Sequence, residues 1–89
     1  MTIKEYEAKL REVSPDEFEG WRVIRLSRKT LIVTFRGSIA FIIDDIDELG
    51  FNAWVEPTIE FTRLLGTPYL DEQIKILQVT NEFIKSYVE

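Results

Sequence analysis

Carboxylates are the groups in this sequence best placed for chemistry. The chain has 89 residues, with no His and no Cys. It therefore has no imidazole base, no thiolate nucleophile and no Ser-His-Asp arrangement. The common cysteine and histidine zinc sites are likewise excluded. No phosphate-cradling G-x-x-x-x-G-K-[ST] or G-x-G-x-x-G segment is present. What remains is an acidic segment in which Asp45, Asp47, Gly50 and Glu56 fall at the first, third, sixth and twelfth places of a twelve-residue window. Two carboxylates, a glycine for a sharp turn and a closing glutamate are the elements of an oxygen-ligand cage for a hard cation.

That spacing resembles the EF-hand calcium loop, over this window alone. Leu49 stands at the fifth place, where an oxygen ligand is needed, and Asn52 at the eighth, where the motif has an aliphatic residue. The segment that enters the loop has the pattern of a strand rather than a helix. The expectation is an acidic surface loop, with no metal, no cofactor and no catalytic residue.

Charge is segregated along the chain. Residues 21–43 carry Arg22, Arg25, Arg28, Lys29 and Arg36 and no acid, whereas residues 44–72 carry Asp44, Asp45, Asp47, Glu48, Glu56, Glu60, Asp71 and Glu72 against Arg63. Two solvated rims that balance each other satisfy this pattern. The acids Asp44, Asp45, Asp47, Glu48, Glu56 and Glu60 are also candidates for a surface that meets a basic partner. The net charge of −5 argues against direct nucleic-acid binding, which gains affinity by neutralising phosphates.

The elements that must position these groups follow from periodicity. Thr30-Leu-Ile-Val-Thr-Phe and Ser38-Ile-Ala-Phe-Ile-Ile form the most apolar and β-branched stretch, broken by Arg36-Gly37 where a hairpin turns. Trp21 to Leu26 reads as a strand that joins them. Thr2 and Glu5 form a T-x-x-E capping box before a helix whose Ile3, Tyr6, Leu10 and Val13 share one face. Ser14-Pro15-Asp16-Glu17 repeats the start signal for a short turn that Gly20 closes. Asp44 to Trp54 reads as a loop, and Pro57 as the start of a short helix that Gly66 ends. Thr67-Pro68 then opens the longest helix, with Leu70, Ile74, Leu77, Ile84 and Val88 on one face and Ile76, Phe83 and Tyr87 beside them.

The expected fold is one α+β domain over residues 1–89: a three-stranded antiparallel β-meander with helices packed on one face, in the order α-βββ-αα. Leu31, Val33, Phe35, Ile39, Phe41, Ile43, Leu77 and Ile84 should meet in its core. Alternation then sends Ile32, Ala40 and Ile42 to the opposite, open face, with Trp21 and Val23 on the first strand beside them. An open face with this apolar content is a candidate contact surface for a second copy or another protein.

This layout, with a short apolar helix, Gly66-Thr67-Pro68 and a long helix at its end, resembles small cytosolic proteins of phages and prophages of Gram-positive bacteria. Its size, acidity and element order are also similar to the nucleic-acid-mimicking anti-CRISPR proteins of type II-A systems. Neither resemblance assigns a role to a residue. The expected function is protein–protein contact or self-association, with an acidic mimic that inhibits a nucleic-acid enzyme as the alternative. A charged amino-terminal segment and the lack of a long apolar run point to a cytoplasmic location without a membrane partner.

Overall fold

The computed structural model describes residues 1–15, 20–47, 52–59, 61 and 70–88. Its elements are helix α1 (Ile3–Val13), strands β1 (Trp21–Arg25), β2 (Leu31–Phe35), β3 (Ser38–Asp44) and β4 (Trp54–Pro57), and helix α2 (Leu70–Lys85). The four strands form one antiparallel sheet in sequence order. The architecture is α+β.

Local chemistry starts and turns these elements. Thr2 Oγ1 accepts the Glu5 amide and Glu5 Oε1 accepts the Thr2 amide, both at 3.2 Å, so two otherwise orphaned donors are satisfied. The β2–β3 turn has Arg36 at φ 50° and Gly37 at φ 85°. Two consecutive left-handed residues give the turn whose twist matches a right-twisted hairpin, and the glycine makes the second affordable. Leu26 donates its amide to Thr30, closing the β1–β2 hairpin around Ser27-Arg28-Lys29.

Cross-strand register decides which residues share a face. Val23 opposes Val33, which opposes Phe41; Arg25 opposes Leu31, which opposes Ile43; Trp21 opposes Phe35. This set faces the helices. Leu31, Val33, Phe41, Ile43 and Trp21 are buried against Tyr6 and Leu10 of α1 and Ile76, Phe83 and Ile84 of α2. Tyr6 stacks on Phe83 with ring centroids 4.1 Å apart, and Phe41 meets Phe61 edge-on at 5.3 Å. Tyr6 Oη and Thr80 Oγ1 lie 2.7 Å apart, and the Thr80 hydroxyl also donates to the Ile76 carbonyl at 2.8 Å. Burial pushes the Tyr6 phenol well above the ordinary tyrosine range, partly opposed by its bond to Thr80.

The structure corrects the sequence expectation at several points. The sheet has four strands, because Trp54–Pro57 pairs with β3. Pro57 closes an edge strand, where a missing amide costs little, instead of opening a helix. Ile59 and Phe61 have helical backbone; the remainder of the expected short helix, and Thr67-Pro68, lie outside the described residues. So does Asp16-Glu17 of the second start signal.

Trp21 and Val23 lie on the core face, not the open one, because the β1–β2 register sets them opposite Phe35 and Val33. Ile39 is exposed instead of buried. Val33 opposes Phe41 while Thr34 opposes Ile39, so Ala40 is the extra residue of a bulge that re-aims the start of β3, and Ala40 itself, expected on the open face, is buried in the core. On α2, Leu70, Ile74 and Leu77 are exposed, as is Val88 beyond the helix end; the inward face is Gln73, Ile76, Thr80, Phe83 and Ile84, with Tyr87 also beyond the helix end.

Candidate functional site

The face of the sheet away from the helices is the strongest candidate for a contact surface. The same register that puts Val33 inside puts three rows of side chains outside. One row is Arg22, Thr34 and Ile39, of which Thr34 is buried and Arg22 and Ile39 are exposed. The next is Ile24, Ile32, Ile42 and Glu56, crossing all four strands. The third is Leu26, Thr30, Asp44 and Trp54, joined by the Leu26–Thr30 bond and the Asp44–Trp54 pair.

This face is apolar at its centre and charged at opposite sides. Ile32 and Ile42 are half-buried. Ile24 is 50%, Leu26 64% and Trp54 49% exposed, so the patch extends to both outer strands. Arg22 sits on β1 and Glu56 on β4, both exposed, and the Arg22 guanidinium donates to the Trp21 carbonyl at 3.0 Å and is engaged in a further interaction. Positive charge therefore marks one lateral side and negative charge the other.

The two sheet edges differ. Along β1 the Val23 amide donates to Glu7 Oε2 at 2.9 Å, and Arg11 Nε donates to the Trp21 carbonyl at 3.3 Å. Glu7 and Arg11 are themselves paired at 2.8 Å, one turn apart on α1. The helix thus satisfies edge groups that would otherwise attract another strand. The opposite edge is β4, kept to four residues and ended by Pro57.

The expected contact residues divide. Ile32 and Ile42 lie on the open face, as the alternation required; Trp21 and Val23 do not. Ile24, Leu26, Ile39 and Trp54 are the members that the sequence reading missed. Ile24 and Leu26 are the other alternation phase of β1, so a pattern signal for them existed. Trp54 had none, because its strand is only four residues long.

The acidic candidates also divide. Asp44 Oδ1 accepts the Thr30 hydroxyl at 2.7 Å and the Asp45 amide at 3.0 Å, so this carboxylate shapes the end of β3. Asp45 occupies the left-handed region at φ 53°, which Asp tolerates better than most residues. Asp47 is half-buried and engaged in a further interaction, and Glu56 is on the open face. Glu48 and Glu60, with Leu49, Gly50 and Phe51 of the calcium-like window, lie outside the described residues. Among the described residues no group of three or more acidic side chains is arranged to hold a metal ion.

Two further surfaces are less organised. Leu70, Ile74 and Leu77 make a short exposed stripe on α2. Thr2, Ile3, Lys4, Arg25, Arg28 and Val88 line an open groove where the chain ends meet. There the amino-terminal ammonium donates to the Ser86 carbonyl, and the Val88 amide donates to the Met1 carbonyl at 3.1 Å. Arg25 is already committed, to the Arg28 carbonyl at 2.8 Å and to the Tyr87 hydroxyl. Among the described residues no helix is long and apolar enough to cross a membrane.

Comparison of the chain with protein-family models, with curated proteins and with solved structures finds no match.

Proposed function

We propose that this chain is a non-catalytic interaction module of the cytosol, and that the open face of its sheet is the contact surface. The observation that carries this reading is the row Ile24–Ile32–Ile42, with Leu26 and Trp54 in the row beside it. An antiparallel sheet with one face in water ordinarily alternates to polar residues on that face. A contiguous apolar patch with charged residues at its sides is the pattern of a protein contact.

The test is substitution on the face with the fold monitored independently. Ile24→Lys and Ile42→Lys should each leave the melting temperature within a few degrees of the unmodified chain, since neither removes a core contact. Each should abolish association, whether with a second copy or with a purified partner. Variants that fold and still associate with undiminished affinity would remove this face from the function.

The alternative is an acidic mimic of nucleic acid, similar in kind to the type II-A anti-CRISPR proteins. It is favoured by Asp44 and Glu56, which share the open face. Asp44 contributes less than its charge suggests, because its carboxylate is already hydrogen-bonded. Under this reading binding weakens steeply with salt, and reversing Asp45, Asp47 and Glu48 to Lys removes inhibition.

A further inference from the structure

We propose that the groove between the start of α1 and the β1–β2 turn binds a small organic anion, a phosphate monoester with an apolar body. The site is separate from the open face and goes beyond the reading of that face as a contact surface.

Charge identifies the class of ligand. The groove has a volume of about 630 Å3 and is lined by Thr2, Ile3, Lys4, Arg25, Arg28 and Val88. Among these described residues three are cationic and none is acidic. They gather there although the chain carries a net charge of −5. Cavities of several hundred Å3 take molecules of metabolite size. A concave surface of one sign focuses its field and raises the local concentration of the opposite ion.

The three cations have unequal roles. Arg25 lies on the side of β1 that faces the helices, in phase with Trp21 and Val23. Its guanidinium donates to the Arg28 carbonyl at 2.8 Å and to the Tyr87 hydroxyl. Those bonds use two of its five donors and hold its charge in one place. Arg25 therefore supplies a fixed positive field. Among the described residues the Lys4 ammonium and the Arg28 guanidinium have no hydrogen-bond or ion-pair partner. These two exposed groups are the ones free to close on a ligand.

One fixed cation with two free ones favours a dianion over a monoanion. A phosphate monoester carries about −1.5 to −2 at neutral pH and presents three acceptor oxygens. A guanidinium fork matches two of them, and an ammonium takes the third as a point charge. A carboxylate offers one charge and two oxygens.

Aliphatic side chains set the rest of the ligand. Ile3 is partly buried against the core, and Val88 is exposed. The Val88 amide donates to the Met1 carbonyl at 3.1 Å, which ties this valine to the start of the chain. An apolar substituent on the phosphate covers these two side chains and releases their hydration water. Ordering two long, exposed cations opposes binding, so the affinity is modest.

Amide chemical-shift titration of the full chain tests the proposal, with phenyl phosphate as probe and inorganic phosphate and benzoate as comparators. Phenyl phosphate should give saturable shifts centred on residues 2–4, 25–28 and 88, and should bind about tenfold or more tighter than either comparator. Lys4→Met combined with Arg28→Met should weaken it about tenfold or more. The melting temperature should stay within a few degrees, because both side chains are exposed. Lys75→Met, at an exposed position on α2, should leave binding unchanged. Shifts that do not saturate by roughly tens of millimolar, or that survive the double substitution, overturn the site. Equal weakening by Lys75→Met would reveal diffuse attraction and overturns it as well. Inorganic phosphate that binds as tightly as phenyl phosphate overturns the apolar body, and benzoate that does so overturns the dianion. Ile24→Lys and Ile42→Lys should not alter the titration, so this site and the open face are tested separately.

Discussion

The two helices both carry apolar stripes, yet only α1 uses the one that its sequence advertises. On α1 the spaced residues Ile3, Tyr6, Leu10 and Val13 do face inward, with Tyr6 and Leu10 fully buried. On α2 the aliphatic stripe Leu70, Ile74 and Leu77 faces solvent. The buried face is interrupted by two polar residues, Gln73 and Thr80. The difference is aromatic. Phe83 and Tyr87 supply large rings to the inward face, and Phe83 is clasped between Tyr6 and Tyr87. A large buried ring outweighs an extra aliphatic methyl or two at the margin. Thr80 is tolerated because both of its hydrogen-bonding capacities are used. A helix with two apolar stripes is thus oriented by the partners already waiting in the core.

The largest expected effect tests that contrast directly. Phe83→Ala should destabilise the fold by about 3–5 kcal/mol, and Leu77→Ala by less than about 1 kcal/mol. Chemical denaturation of both variants is the measurement. Equal losses would mean that the exposed stripe also belongs to the core.

A smaller effect sharpens the polar side of the comparison. Tyr6→Phe should cost about 0.5–1.5 kcal/mol, since Thr80 keeps the Ile76 carbonyl as acceptor and no buried donor is stranded. The same substitution has a pH signature. The unfolded phenol ionises near pH ~10, whereas burial keeps the folded phenol protonated to higher pH. The stabilisation from Tyr6 is complete below that unfolded value and is lost as pH rises above it. The alkaline fall in melting temperature should shrink in Tyr6→Phe; an unchanged alkaline limb would show that Tyr6 is not the group responsible.

The smallest effect probes the local signal at the start of α1. Thr2→Ala removes the acceptor for the Glu5 amide and should cost about 1 kcal/mol. Amide exchange should quicken in the first turn of α1 and stay unchanged in α2. Uniform quickening through both helices would show that the cap governs global rather than local stability.

What the sequence determined by itself was local. The capping box, the Arg36-Gly37 turn and the inward phase of Leu31, Val33, Phe41 and Ile43 all depend on neighbours within a few residues. Their physics is complete in a short window. The centre of the contact surface was legible for the same reason, since Ile32 and Ile42 must oppose a buried Leu31 and Ile43. The rest was decided between segments. Trp21-Arg-Val-Ile-Arg-Leu26 has apolar residues in both alternation phases, and only pairing with β2 chose Trp21 and Val23 for the core and Ile24 and Leu26 for the open face. The bulge at Ala40 moved Ile39 outward, although its side chain is as apolar as that of Ile43. Strand β4 is too short to announce itself, and only its pairing with the edge of β3 defines it. Face choice in α2 waited on Tyr6, 77 residues before Phe83 in the chain. Periodicity records which residues can be buried together; only the packed partners record which of two possible sets is.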